Sequence, residues 1–166
     1  MHYYDLYESP QGRMLLVANG EGLSGVYFDG QKYFPKVASA WQRDANHAPL
    51  RQAKRELTEY FGGERRRFES PLAPKGTPFQ RSVWQAISTV GFGETLTYGE
   101  LARRAEHAGG ARAAGAATGR NPISIIVPCH RIVGSNGNLT GYAGGLDRKR
   151  ALLALESGIP ELLAAA

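Results

Sequence analysis

Cys129 is the only cysteine in the 166-residue chain. It stands in Pro128-Cys129-His130-Arg131, with the apolar residues Ile125, Ile126 and Val127 before it and Ile132 and Val133 after it. A disulfide within the chain would need a second cysteine. A structural zinc site needs about four Cys or His ligands at close spacing, whereas His2, His47, His107 and His130 are scattered. Two readings of Cys129 remain, an inert buried thiol or a thiolate nucleophile.

The elements around Cys129 must hold it and leave it reachable. Asn121-Pro122 ends a helical stretch, and Ile123-Ser124-Ile125-Ile126-Val127 then reads as a buried strand that delivers the chain to Pro128-Cys129-His130. A short strand is predicted over residues 131–133. It is followed by a turn through Ser135, Asn136, Gly137 and Asn138, and by a flexible Gly141-Tyr142-Ala143-Gly144-Gly145. A last helix runs from about Leu146 to Glu156, opened by Asp147 and carrying Leu152, Leu153 and Leu155.

Upstream, the punctuation is explicit. Thr77-Pro78-Phe79-Gln80 is a capping box with proline at the first helical position, followed by the stripe Phe79, Val83, Trp84, Ile87 and Val90. A second box, Thr97-Tyr98-Gly99-Glu100, starts a helix with Leu101, Ala102 and Ala105 that runs out before Gly109-Gly110. A third helical stretch over residues 111–118 completes a helix-turn-helix. A helix that reads bases in the major groove presents several long polar side chains. Here, apart from Arg112, the first two turns are Ala and Gly. Such a surface either packs closely on another helix or lets a partner come close with little sequence readout, and Arg112 favours the second by offering one long cation.

Residues 1–74 read as a separate α/β lobe and residues 75–166 as a second one. In the first, residues 14–18 and 23–28 form strands around Asn19-Gly20-Glu21-Gly22, and Leu50, Ala53, Leu57, Tyr60 and Phe61 recur at helical spacing. Arg65-Arg66-Arg67 is expected to be a solvated loop, and residues 70–76 a linker. Nothing in this lobe reads as catalytic.

Charge separates the lobes as well. Residues 1–74 hold 10 Lys and Arg against 9 Asp and Glu, whereas residues 75–156 hold 10 against 5. The lobe with Cys129 is the basic one, which suits a polyanion partner. No apolar run approaches the roughly 20 residues that span a bilayer, and Met1-His2-Tyr3-Tyr4-Asp5 lacks a basic-then-apolar leader. A cytoplasmic protein with a reduced thiol and no membrane partner is therefore expected.

Asn121-Pro122-Ile123-Ser124-Ile125-Ile126-Val127-Pro128-Cys129-His130-Arg131-Ile132-Val133, with Tyr98 and Arg112 before it and Gly141-Tyr142-Ala143-Gly144-Gly145 after it, resembles the O6-alkylguanine-DNA alkyltransferases. The match in order and spacing covers roughly residues 76–156, and the first lobe is similar in size and pattern. The resemblance implies an RNase H-like N-terminal lobe followed by a winged helix-turn-helix C-terminal lobe. It also implies a monomer that takes double-stranded DNA bearing O6-alkylguanine from the minor groove, with weak sequence preference and without a cofactor or metal. Cys129 would accept the alkyl group irreversibly, and O4-alkylthymine would be a poorer substrate.

The resemblance assigns further residues one at a time. His130 would take the thiol proton through a water, because adjacent side chains on an extended segment face opposite ways, and Glu156 would orient His130 and favour its charged form. Tyr98 matches the tyrosine that assists nucleotide flipping and bonds the leaving guanine. Arg112 matches the arginine that fills the vacated place in the duplex, with Ala113 and Gly115 beside it on the DNA face and Arg120 adding a phosphate contact. Asn121 matches the asparagine that braces the turn before the active site. Ile132, Tyr142, Ala143 and Gly144 match the base pocket, Ile132 through its backbone carbonyl; Ala143 stands where some relatives have Ser and so lacks one hydrogen bond to the base. Two other classes fit a helix-turn-helix with a thiol. A non-catalytic lesion sensor is disfavoured by Cys129 itself, and a redox-thiol regulator by the smooth Ala/Gly helix.

Overall fold

A computed structural model describes residues 1–106 and 110–158. His107, the Gly109 turn residue, Glu161 and the rest of 159–166 lie outside the described residues. Two units emerge, Met1–Lys75 and Gly76–Ala166.

In the first unit β1 (Tyr3–Ser9), β2 (Gly12–Ala18) and β3 (Leu23–Phe28) form an antiparallel meander, and β4 (Gln42–Arg43) adds in parallel to β1, giving the order β3-β2-β1-β4. Residues 14–18 of β2 are continuously buried, as expected of a central strand. Helix α1 (Ala48–Phe61) buries Leu50, Ala53, Leu57 and Tyr60. Strand β1 escapes a sequence reading because its Tyr-rich pattern is only half-buried and its one fully buried member is Asp5, which pairs with Lys54 and Arg43. The arginine run is not wholly solvated: the Arg65 Nε donates to Glu59 Oε1 at 2.9 Å and its Nη1 lies 3.5 Å from the buried Glu56. The expected linker is also partly structured. Pro71 and Ala73 bond to both backbone groups of Leu23 at 2.8 Å, which fastens this stretch to β3.

The second unit follows its capping signals. Thr77 caps α2 (Pro78–Ile87) and Thr97 caps α3 (Tyr98–Arg104), each with the reciprocal side-chain bond from Gln80 or Glu100. Helix α4 (Gly110–Gly119) packs on α2 and α3, and the Trp84 indole donates to the Ala117 carbonyl at 2.8 Å. Strands β5 (Leu96–Thr97) and β6 (Ile132–Val133) pair in parallel, and α5 (Leu146–Ser157) closes the unit against the turn that holds Cys129. Among the described residues no helix is long and apolar enough to cross a membrane.

The expected strand over residues 123–127 is absent. These residues are buried, but Ile123 makes only an isolated bridge, residues 124–127 form a turn and a bend, and Cys129–Arg131 is one turn of 3-10 helix rather than extended chain. A short apolar run fixes burial without fixing conformation. Here the backbone groups are satisfied locally instead of by a neighbouring strand. Ile126 N–H bonds the Ser124 carbonyl at 2.8 Å across Ile125, whose φ is +70°. A β-branched residue in that region costs about 1–2 kcal/mol, and burying its side chain returns roughly 1.5–3 kcal/mol, so the packing wins. The usual ranking of substitutions is expected to invert at this position. Ile125→Gly should be no less stable than Ile125→Ala, because relief of the positive φ offsets the one further methyl that glycine gives up. Urea midpoints of the two variants test this, and a clearly lower midpoint for the glycine variant would refute the account.

Candidate active site

Asn121 shapes the loop that presents Cys129. Its amide donates to the Val127 carbonyl at 2.9 Å and to the Ile123 carbonyl at 3.3 Å, and its Oδ1 accepts from Ile123 N–H at 3.0 Å. One buried side chain thus ties the loop's start to its end, and the amide lies near enough to Cys129 to favour its thiolate. A strand would use those backbone groups in a ladder; Asn121 uses them to close a turn. Cys129 is 5 % exposed, held by its N–H on the Val127 carbonyl at 2.7 Å.

His130 and Glu156 meet as expected: Nε2 lies 2.7 Å from Oε2, and both side chains are buried. Arg131, which the sequence reading passed over, completes the group. Its Nε donates to Glu156 Oε1 at 2.8 Å, its Nη2 to Oε2 at 2.9 Å, and its Nη1 to the Val90 carbonyl at 2.7 Å. The carboxylate is therefore a shared acceptor rather than the private partner of His130. His130 Nδ1 is buried and has no hydrogen-bond partner among the described residues.

A second passed-over residue is Lys149. It is fully buried, and its Nζ donates to the carbonyls of Ile132 at 2.6 Å, Thr140 at 2.8 Å and Gly141 at 3.1 Å, while lying 5.9 Å from the Tyr98 ring centroid. The Ile132 carbonyl, expected to face the base, already accepts from Lys149. A sequence signal existed for it: Lys149, Leu152 and Glu156 fall on one stripe of α5 at helical spacing, so a cation and an anion share the face that Leu152 buries.

Burial sets the electrostatics. It pushes the Cys129 thiol up to about 11, against the pull of the Asn121 amide and the Lys149 ammonium. It holds His130 below its ordinary value, outweighing Glu156, with Arg131 and Lys149 pushing the same way. Glu156 does favour the charged imidazole, as expected, but desolvation and two neighbouring cations outweigh it. Burial raises the Glu156 carboxyl too, yet hydrogen bonds from His130 and Arg131 bring it down to about 2. These shifts favour a protonated thiol, a neutral imidazole and an ionised carboxylate.

An open cleft of about 620 Å³ is lined among others by Tyr98, Arg112 and Gly115, and by Thr140 and Gly141, whose carbonyls Lys149 holds. Cys129 is not in its lining, but Tyr98 is near enough for a thiolate charge to raise its phenol further above the value that burial already sets. The small residues of α4 divide by face. Ala114, Ala117 and Thr118 are buried, whereas Ala111, Arg112 and Ala116 are exposed and Ala113 and Gly115 half-buried. A methyl group at Gly115 would make only ordinary contact with Tyr98, at 3.5 Å, and one at Gly119 would touch nothing. Internal packing does not require glycine at either position. Arg120 is exposed just past α4. Tyr142 is half-buried with its hydroxyl inside, Ala143 is half-buried, and Gly144 is buried.

Residues 2–74 match the family model described as 6-O-methylguanine DNA methyltransferase, ribonuclease-like domain, and residues 78–158 the one described as the DNA binding domain of the same family. The chain is similar to a methylated-DNA--protein-cysteine methyltransferase of Methanosarcina acetivorans, 49 % identical over 93 % of this chain and 97 % of that one. It is likewise similar to the protein of that name from Mycobacterium bovis, 44 % identical over 94 % and 93 %. Among solved structures, it is similar to Mycobacterium tuberculosis OGT in complex with DNA, with a TM-score of 0.85 and 42 % identity over 95 % of this chain and 94 % of that one.

Proposed function

The chain belongs to the 6-O-methylguanine DNA methyltransferase family, and from that premise we propose how residues 75–166 bind damaged DNA and how Cys129 removes the lesion. The protein is a DNA-repair methyltransferase that acts by direct reversal. The bond from the alkyl carbon to guanine O6 breaks, a bond from that carbon to Cys129 Sγ forms, and the thiol proton ends on the restored guanine. A thioether has no ready leaving path, so each molecule acts once.

The observation that carries the mechanism is the buried relay. His130 Nε2 is committed to Glu156, which leaves the Nδ1 lone pair to accept the Cys129 proton, relayed by a water as the alkyl group moves. With the thiol near 11 and the imidazole lowered, that proton moves uphill. The thiolate is therefore produced with the substrate in place and is not a standing reactive group. Lys149 and the Asn121 amide stabilise the sulfur charge as it appears.

The target base must leave the stack to reach a 5 % exposed cysteine. Tyr98, which lines the cleft, bonds the departing guanine, and Arg112 enters the space the base vacates. Tyr142, Ala143, Gly144 and the Ile132 backbone wall the base. The exposed Ala and Gly of α4 sit against the minor groove with weak sequence preference, Arg120 adds a phosphate contact, and the protein works as a monomer in the cytoplasm.

Incubating the protein with a duplex containing O6-methylguanine and weighing the intact chain tests the reading. One added methyl group is expected, mapped by digestion to the peptide with Cys129, and with no second turnover in excess substrate. An unmodified chain, or a methyl on another residue, would overturn it.

A further inference from the structure

Thr140 stands in the loop that leads from β6 towards α5, at a position the sequence did not single out. It lines the open cleft together with Tyr98, Arg112 and Gly115. Its backbone is fixed, because its carbonyl accepts from Lys149 Nζ at 2.8 Å and the same ammonium holds the Gly141 carbonyl at 3.1 Å. Its side chain is fixed too. A methyl group placed on Gly134 would lie 3.3 Å from the Thr140 γ-methyl, so that methyl rests against the far arm of its own loop, which the Gly134 N–H closes on the Asn138 carbonyl at 2.8 Å. On a β-branched side chain the place of the γ-methyl sets that of the hydroxyl, and the Thr140 hydroxyl is hydrogen-bonded to the Tyr98 phenol. Gly115 flanks the same ring from α4, where an added methyl would meet it at 3.5 Å.

We propose that Thr140 is a positioning residue for Tyr98: its hydroxyl donates to the phenol oxygen and so leaves the phenol proton for the guanine that departs when Cys129 takes its alkyl group. The inference rests on the reading of Tyr98 above and adds the group that aims it. A tyrosine hydroxyl has one proton to donate and an oxygen that also accepts, so a phenol whose own proton faced Thr140 would offer guanine only an acceptor. With Thr140 as the donor, that proton stays available to the base. A hydroxyl that accepts one hydrogen bond also donates the next more strongly. The electrostatics agree in direction: burial raises the Tyr98 phenol, and the bond from Thr140 acts the other way, as a donor to that oxygen does. Thr140 is exposed in the free protein. Its hydroxyl therefore contributes little to stability there, and its effect grows when a base closes over the pair and displaces water.

The test is single-turnover methyl transfer from a duplex containing O6-methylguanine, at saturating protein, for the wild type, Thr140→Val, Thr140→Ser, Tyr98→Phe and the double variant of Tyr98→Phe with Thr140→Val, each with its urea midpoint. Valine keeps the shape and removes the hydroxyl. Thr140→Val should transfer about three- to tenfold more slowly than the wild type with its midpoint unchanged, and Thr140→Ser, which keeps the hydroxyl and loses the methyl, should recover most of the lost rate. In the Tyr98→Phe background Thr140→Val should have little further effect, since no phenol is left to aim. A wild-type rate in Thr140→Val, a Thr140→Ser as slow as Thr140→Val, a rate loss that comes with a lowered midpoint, or an undiminished loss in the Tyr98→Phe background would overturn the inference and leave the role of Cys129 standing. A wild type that transfers no methyl group would instead overturn the function proposed for the chain.

Discussion

Glu156→Gln should lower the unfolding free energy by about 3–5 kcal/mol and slow methyl transfer at least tenfold. The substitution keeps shape and removes charge. Arg131 then remains buried beside an amide whose NH2 group faces donors, because one carboxylate oxygen accepts from the guanidinium and the other faces both it and His130. Replacing both Arg131 and Glu156 with apolar groups of similar volume should cost less stability than the single change, since no unpaired charge is left behind. The acid limb of stability offers a further check. Glu156 has a folded pKa of about 2 against an ordinary 4.5, so its contribution is complete above about 4.5 and is lost as pH falls towards 2. His130 also titrates lower when folded than its ordinary 6.5, so the unfolded chain binds that proton first and stability begins to fall once pH drops below 6.5. Urea midpoints taken from neutral to acid pH should show both losses in the wild type, with the lower one flattened in Glu156→Gln. Equal acid limbs in the two proteins would refute the assignment.

Lys149→Met should slow transfer by at least tenfold and cost about 3 kcal/mol of stability, as a hydrogen bond to a charged group contributes roughly 1.5–3 kcal/mol and its loss strands buried acceptors. Methionine fills similar space with a similar chain but carries neither charge nor donors. Three carbonyls lose their partner, two of them in the loop that borders the cleft, and the Cys129 sulfur loses a cation that favours its ionised form. The two losses can be separated. Loop loosening should weaken binding of duplex DNA, whereas loss of the cation should raise the pH at which the thiol reacts with a small alkylating agent in the absence of DNA. If Lys149 acts through its charge, the second shift appears even where binding is unchanged. A thiol titration identical to the wild type would remove that role and leave only the structural one.

Local signals survive into the structure because they act within a turn. Both capping boxes form as read, since Thr77 with Gln80 and Thr97 with Glu100 lie three residues apart and need no tertiary help. The smooth Ala/Gly character of α4 was also legible, but only packing divides it into a buried and an exposed face and shows that Gly115 and Gly119 owe nothing to internal crowding. The stretch before Cys129 was misread as a strand because hydrophobic runs report burial. What decides strand against turn is where the backbone groups go, and Asn121 supplies that answer from outside the run.

By itself the sequence singled out the candidate nucleophile, a lone Cys129 with His130 beside it, and a helix-turn-helix in the same basic lobe. These depend on residue identity and on contacts within a few positions. Only the tertiary structure decided how that nucleophile is controlled. Glu156, which the family resemblance had already set against His130, also takes Arg131 across about 25 residues of chain, and Lys149 reaches across 17 residues to the carbonyl of Ile132. Those partners matter because they meet where water is excluded. There a charge interacts strongly and must be balanced by whatever packing has placed next to it, and no spacing along the chain records which groups those will be.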